Sequence, residues 1–348
     1  MKRKILGFLK YMLFLGLGIF LVWWSLSGIP DDKWVDFKKA FATARYWLLI
    51  PVFFILIASH LLRALRWRIL MQPLGYYPTL GNTFFAVMIG YLANLAVPRL
   101  GEVLKCTILA RYEKVPAEKL VGTIVAERAF DVVSLGIIFL LAFVFQFDVV
   151  GEYGMSLIQP LFTSKTGEVS YTKALIAVAI LVVIIIIIKV WFYKFAHLKL
   201  VIFIKKVIKG IWEGVISVRG LKRKLPFVIC SIGIWGLYLL GTWVGFYATV
   251  GTSGMGLDVA LSALAFASVG MIITPGGIGA YAFFMAKVLE KNGVPFELGF
   301  ANGTLQWFAQ FLLVLIVGFI SLGLLPYFNK KKHTNAESGY HPNKDLQP

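Results

Sequence analysis

Apolar residues dominate six long runs, at about 5–27, 46–66, 120–147, 173–192, 226–250 and 299–325. Each approaches the roughly 20 residues that a helix needs to cross a hydrocarbon core about 30 Å thick. Two more apolar stretches, 79–110 and 258–290, are interrupted near their middles by Pro and Gly, at VPRLG (97–101) and TPGGIG (274–279). The parts after the breaks, Leu100–Ala110 and Ala280–Leu289, cover only about 15 Å as helix. Each stretch therefore reads as a re-entrant hairpin that enters and leaves on one side. Broken backbone is tolerated at such depth only inside protein or beside a wet cavity. The pattern predicts an all-α polytopic membrane protein with about six spanning helices and two re-entrant helical hairpins.

Charge gives this frame a direction. The chain carries 35 Lys+Arg against 17 Asp+Glu, a net +18. In a membrane protein such an excess gathers in cytoplasmic loops, so no nucleic-acid partner is expected. With Met1 inside and both hairpins non-crossing, the dense basic block between Lys189 and Lys224 and the C-terminal lysines fall together in the cytoplasm. Letting one hairpin span puts the C-terminal lysines outside; letting both span puts the 189–224 block outside. The charge bias therefore favours two hairpins, cytoplasmic N- and C-termini and a bacterial-type inner membrane. The N-terminal run is too long for a signal peptide and reads as a retained helix. Residues 197–224, within a linker at 194–224, alternate Leu200, Ile204, Val207, Ile211 and Val215 with lysines in the manner of a helix lying on an anionic inner leaflet. A plain interfacial connector fits them as well. The polar tail, 329–348, is expected to be disordered.

The two breaks also align. VPRLG is followed by a short helix, a charged turn, Val115-Pro116 and a long span; TPGGIG is followed by a short helix, a charged turn, Val294-Pro295 and a long span. In both units, Glu127 or Gln306 falls at the same distance after the proline. The repeats cover about 46–147 and 226–325. With the topology above they are inverted, as in many secondary transporters, whose sites lie at matched broken helices near the midplane.

Candidate chemistry concentrates at these matched positions. Glu127, Arg128 and Asp131 sit inside the third span, with Glu127 and Asp131 on one helical face. Charges at that depth need partners. Pairs such as Arg99–Glu127 or Arg128–Asp131 would make a packing network; a substrate or proton pathway is the other reading. Pro98 breaks the first hairpin. Arg99, Gly101 and Glu102 open its short half-helix, whose N-terminus favours anions, and Arg99 offers a fork suited to phosphate. Asn94 lies on the approach to this tip. Pro275, Gly276, Gly277 and Gly279 form the second tip, where the glycines serve either a head-group nest or close helix packing. Arg63, Arg66 and Arg68 end the second span and read first as positive-inside anchors, with Arg66 a candidate head-group contact. Cys106 and Cys230 offer no disulfide framework. No HExxH, CxxC or Walker loop is present, and no metal or cofactor is expected.

RALRWRIL, VPRLGEVLK, ERAFDVV and TPGGIGAYAFF, in this order over about residues 10–328, resemble the lysylphosphatidylglycerol synthase transmembrane-region family. A similar membrane domain in the multiple peptide resistance factor is linked to lipid flipping and is joined there to a separate synthase domain. The resemblance implies that residues 1–328 form a stand-alone flippase-like domain without that synthase. It would be no enzyme, and would move an anionic or polyprenyl-linked lipid between leaflets. The resemblance also carries a translocation role onto Arg99, Gly101 and Glu102, onto Glu127, Arg128 and Asp131, and onto Pro275, Gly276, Gly277 and Gly279. The second tip departs from its relatives, many of which carry an acidic residue where this chain has AYAFF. A membrane-embedded head-group transferase or hydrolase, and a non-catalytic partner of a lipid-modifying enzyme, remain as alternatives.

Overall fold

A computed structural model describes residues 2–97, 100–147, 221 and 223–337. The expected span at 173–192, nearly all of the basic linker 194–224, and Pro98 and Arg99 at the first tip lie outside the described residues. Among those described, the regular structure is helical, with no strand. In chain order the helices are α1 (Lys2–Ser27), α2 (Trp34–Ala42), α3 (Leu49–Met71), α4 (Leu80–Ala96), α5 (Leu100–Glu113), α6 (Ala117–Phe145), α7 (Lys224–Phe246), α8 (Leu257–Ile273), α9 (Ala280–Lys291) and α10 (Phe296–Glu337).

Four segments are long and apolar enough to cross a bilayer: Tyr46–Leu74, Ala117–Phe145, Lys224–Phe246 and Phe296–Lys330. They match four of the six expected spans, with α1 as a fifth, partly apolar helix. The short amphipathic α2, absent from the sequence reading, lays Phe37 against Phe300 at 6.2 Å between ring centres. The last helix continues past Asn329 to Glu337, so the first part of the expected tail is helical.

Both hairpins are present, and they open at opposite ends of the bundle. Helix α4 stops at Val97, an extended residue whose N–H still donates to Ala93; α8 stops at Thr274, equally extended, donating to Gly270. At the open end of the first hairpin, Asn82 of α4 donates to Glu113 of α5 at 2.5 Å and pairs with Asn329 of α10. At the open end of the second, Asn292 accepts a bond from Gln146, just past α6, at 2.8 Å. Helix α6 starts at the first of these ends and finishes at the second. The arms α4 and α8 are 17 residues each, about 25 Å at 1.5 Å per residue, too short to cross and return at the far face.

The repeats are inverted. Their opening helices, α3 and α7, pack antiparallel: Arg66 meets Ser231, Leu62 lies on Gly233, Arg63 reaches Tyr238 and Ile55 faces Gly241. Beyond these, the Arg45 N–H donates to the Ala248 carbonyl. Each closing helix then packs on the other repeat's hairpin. Helix α10 lies along α4, with Gly318 against Leu92 and Gly81 under Phe328, while α6 meets α8 through Phe139 and Phe266.

Close approach relies on small residues, as expected where lipid offers no hydrophobic drive between helices. Gly299 and Gly303 of α10 sit one turn apart on Ala286 and Ala282 of α9. Gly90 and Gly101 let the arms of the first hairpin touch, since a Cβ on Gly101 would collide with the Gly90 carbonyl.

Candidate functional site: a buried ionic cluster between the repeats

Helix α3 contributes Arg63 and Arg66, three residues apart on one face. Helix α6 contributes Glu127 and Asp131, four apart on the face opposite. Arg63 Nη1 lies 3.1 Å from Glu127 Oε1 and 2.7 Å from Asp131 Oδ2. Arg66 Nη2 lies 2.6 Å from Asp131 Oδ1 and 3.6 Å from Glu127 Oε1. Lys105, one turn into α5, brings Nζ to 3.3 Å from Glu127 Oε2 and sits 4.5 Å over the Trp67 ring. Trp67 is itself fixed by an indole N–H donated to Thr123 at 2.9 Å. Helix α7 of the other repeat closes the group through Tyr238 and Ser231, each 3.4 Å from an arginine nitrogen.

The cluster is dry. Arg66 is fully buried, Glu127 is 1% exposed, Lys105 4% and Arg63 5%. Glu127 lies about 15 Å along α6 from Ala117, well inside any bilayer. Three cations face two carboxylates, an excess of one positive charge. The Nε atoms of Arg63 and Arg66 have no hydrogen-bond partner among the described residues. His60, one turn before Arg63, is buried against Tyr91 at 5.0 Å. Buried ion clusters add little net stability, because desolvation offsets the attraction. Inside a membrane such groups mark substrate or ion pathways by default.

These contacts revise several expectations. Arg63 and Arg66 are core members of the cluster, not interfacial anchors. Their burial is set by α6 and α7, which approach from elsewhere in the chain. Arg128 does not pair with Asp131. It points off the Glu127/Asp131 face and meets Glu102 of α5, Nε to Oε1 3.5 Å, in a half-exposed pair beside the first tip. Lys105, absent from the sequence candidates, is a partner of Glu127, while the expected Arg99–Glu127 pair lies outside the described residues. Arg68 keeps a peripheral role, donating to the Pro78 carbonyl at 2.7 Å. Asn94 serves the backbone: its Oδ1 accepts the Gly101 N–H at 2.8 Å and caps the start of α5.

The second tip makes close contacts with α1 and α10. Gly276, Gly277 and Gly279 have φ of 62°, 75° and 71°, a region that side chains disfavour. Gly279 presses on the Gly18 carbonyl of α1, leaving no room for a Cβ. The Gly276 carbonyl accepts the Trp307 indole N–H at 2.7 Å, tying the tip to α10. Pro275 starts the tight turn, and Thr274 closes it by donating to Ile278 at 3.0 Å. Leu95, near the end of α4, lies beside Gly276 of the second tip.

Gln306, the match of Glu127, occupies a neutral network. It donates to Asn302 at 2.8 Å, and Asn302 bonds Thr249 and Thr252. The repeats thus share a skeleton and differ in chemistry: ions in the first, amides and hydroxyls in the second. Among the described residues no group of His, Cys, Asp and Glu is placed to hold a metal ion.

Two antiparallel repeats, each with a re-entrant hairpin, define an all-α polytopic membrane protein with a charged core at the repeat junction. The chain belongs to the lysylphosphatidylglycerol synthase transmembrane-region family, whose model matches residues 10–318. It is 23% identical over 302 residues to the UPF0104 membrane protein MJ1595 of Methanocaldococcus jannaschii, covering 81% of this chain and 86% of that one. No solved structure gives a significant match. Membership in this family places the chain in a lipid-related membrane setting.

Proposed function

We propose that the protein moves a phosphate-bearing lipid, anionic or polyprenyl-linked, between the two leaflets, and that it transfers no chemical group. The observation that carries this reading is the excess of positive charge at the repeat junction, where Arg63, Arg66 and Lys105 outnumber Glu127 and Asp131. A phosphate entering there would balance the excess and find the free Nε groups. The Glu102–Arg128 pair bridges α5 and α6 beside the first tip and is exposed enough to open and close without large desolvation. Alternating access would rock one repeat against the other about the α3–α7 contact, the acyl chains staying in lipid. The end of α4 and the second tip, in contact at Leu95 and Gly276, would be the parts that separate.

Arg68 in the last turn of α3, Arg111 in the last turn of α5 and Lys330, Lys331 and Lys332 late in α10 support cytoplasmic termini in an inner membrane. An anionic inner leaflet is then the surface proposed for the basic segment 197–224. A lipid-modifying enzyme would be the natural partner supplying the lipid.

The test is reconstitution into liposomes with fluorescent phosphatidylglycerol and phosphatidylethanolamine, followed by an external reductant. Transport bleaches the probe beyond the outer-leaflet half, and Arg66→Gln, with an unchanged elution profile, slows it at least tenfold. Bleaching that stops at half with folded wild-type protein contradicts the proposal.

A further inference from the structure

A second polar site lies at the end of the bundle far from Glu113 and Asn329, where α1 finishes and α10 begins. There a cavity of about 400 Å³ is bounded by α1, α9 and the start of α10. Its wall is aromatic: Trp24 stacks on Phe283 at 5.7 Å between ring centres, and Phe283 meets Phe296 at 6.3 Å. Its polar lining is Ser25, Glu290, Glu297 and Lys287, two carboxylates against one ammonium. Glu297 lines the cavity and is only 7% exposed, and among the described residues no hydrogen bond or ion pair reaches its carboxylate. Its place in the first turn of α10 offsets part of that cost through the helix dipole. Ser25 also lines the cavity; it is 3% exposed and its hydroxyl has no partner.

The remaining charges do not neutralise Glu297. Lys287 pairs with Glu290 at 2.8 Å, and both side chains are half exposed. Lys287 also places its ammonium 4.7 Å over the Phe296 ring. The wall therefore already accepts an alkylammonium, through the attraction of a cation for a ring face. A buried hydroxyl without a partner and the Glu297 carboxylate, next to an aromatic wall, suit a small organic cation over an anion.

We propose that this cavity binds an alkylammonium group, with Glu297 as counter-ion, Ser25 as hydrogen-bond acceptor and Trp24, Phe283 and Phe296 as the wall. The site is separate from the ionic cluster and does not depend on lipid transport. A free amine and the ammonium of a zwitterionic lipid share the required chemistry.

Full-length protein in phosphatidylglycerol nanodiscs would be titrated with ethanolamine and choline by calorimetry, with glycerol as the neutral control. In parallel, nanodiscs holding equal phosphatidylethanolamine and phosphatidylglycerol would be stripped, and the retained lipid weighed by native mass spectrometry. Saturable binding of an amine assigns a soluble ligand; selective retention of phosphatidylethanolamine assigns a lipid head group. In either arm Glu297→Gln weakens binding at least tenfold, and Lys287→Met, which removes the resident ammonium, strengthens it severalfold. Trp24→Leu serves in place of Glu297→Gln if the latter does not elute as folded protein. No saturable amine binding together with no lipid preference, or identical affinities in wild type and variants, overturns the proposal.

Discussion

Replacing Glu127 by Gln keeps the side-chain shape and removes one charge from the densest part of the cluster. The consequences differ among its three partners. Arg63 and Arg66 retain Asp131 at 2.7 and 2.6 Å. Among the described residues Lys105 has no other carboxylate partner, and it keeps the Trp67 ring at 4.5 Å. The substitution therefore strands one buried ammonium and raises the cationic excess from one to two. Breaking a buried pair by removing one partner costs about 3–5 kcal/mol. Lys105→Met is milder, because Glu127 keeps Arg63 at 3.1 Å and Arg66 at 3.6 Å; the lost charged hydrogen bond is worth about 1.5–3 kcal/mol. The double variant removes the stranded charge and should lie close to Lys105→Met, giving a coupling as large as the Glu127→Gln cost itself, about 3–5 kcal/mol. Thermal unfolding of the four proteins in one detergent, followed by the fraction surviving size-exclusion chromatography, reads the order directly. Wild type should be most stable, Lys105→Met and the double variant close together below it, and Glu127→Gln lowest. Additive losses, or a double variant weaker than Glu127→Gln, would refute the pairing.

Three further outcomes follow from contacts elsewhere. Gly101→Ala drives a methyl into the Gly90 carbonyl and should cost at least about 1–3 kcal/mol, whereas Gly236→Ala, which meets nothing within 4 Å, should be neutral or stabilising in the same unfolding assay. Trp307→Phe removes the bond that holds the Gly276 carbonyl; about 1 kcal/mol is lost, and hydrogen exchange at 276–279 should quicken while the rest of α10 is unchanged. The Glu102–Arg128 pair is half exposed and worth at most about 1 kcal/mol, so Arg128→Glu should barely change the melting point yet slow lipid movement, and the swapped Glu102→Arg/Arg128→Glu protein should recover it.

Much of the architecture is written in local patterns. Hydropathy marks the spans, and Pro and Gly mark where α4 and α8 stop. The repeated Val-Pro before α6 and α10 marks the two halves. The cluster is written less plainly, because its pairs are remote. Glu127 lies 22 residues from Lys105 and 64 from Arg63, and adjacency in ERAFD draws the eye to Arg128 instead. Helical geometry decides the matter: Glu127 and Asp131 share a face that Arg128 does not. Arg63 and Arg66, three apart on α3, present the complementary spacing, and that spacing could have identified them as partners. Their position near the end of an apolar run equally fits an interfacial anchor, and only the approach of α6 and α7 separates the two. The short α2 escapes a hydropathy reading because its charges hide the apolar face that covers Phe300.

The opposed entry of the two hairpins underlies the fold, the cluster and the proposed transport alike. Single cysteines placed at Lys114, beyond α5, and at Lys291, at the end of α9, report on it directly once the buried Cys106 and Cys230 are replaced by Ala. Both positions are exposed. In intact cells a membrane-impermeant maleimide should label Lys291→Cys at once and Lys114→Cys only after the membrane is opened. Labelling of both from the same side would contradict the inverted arrangement.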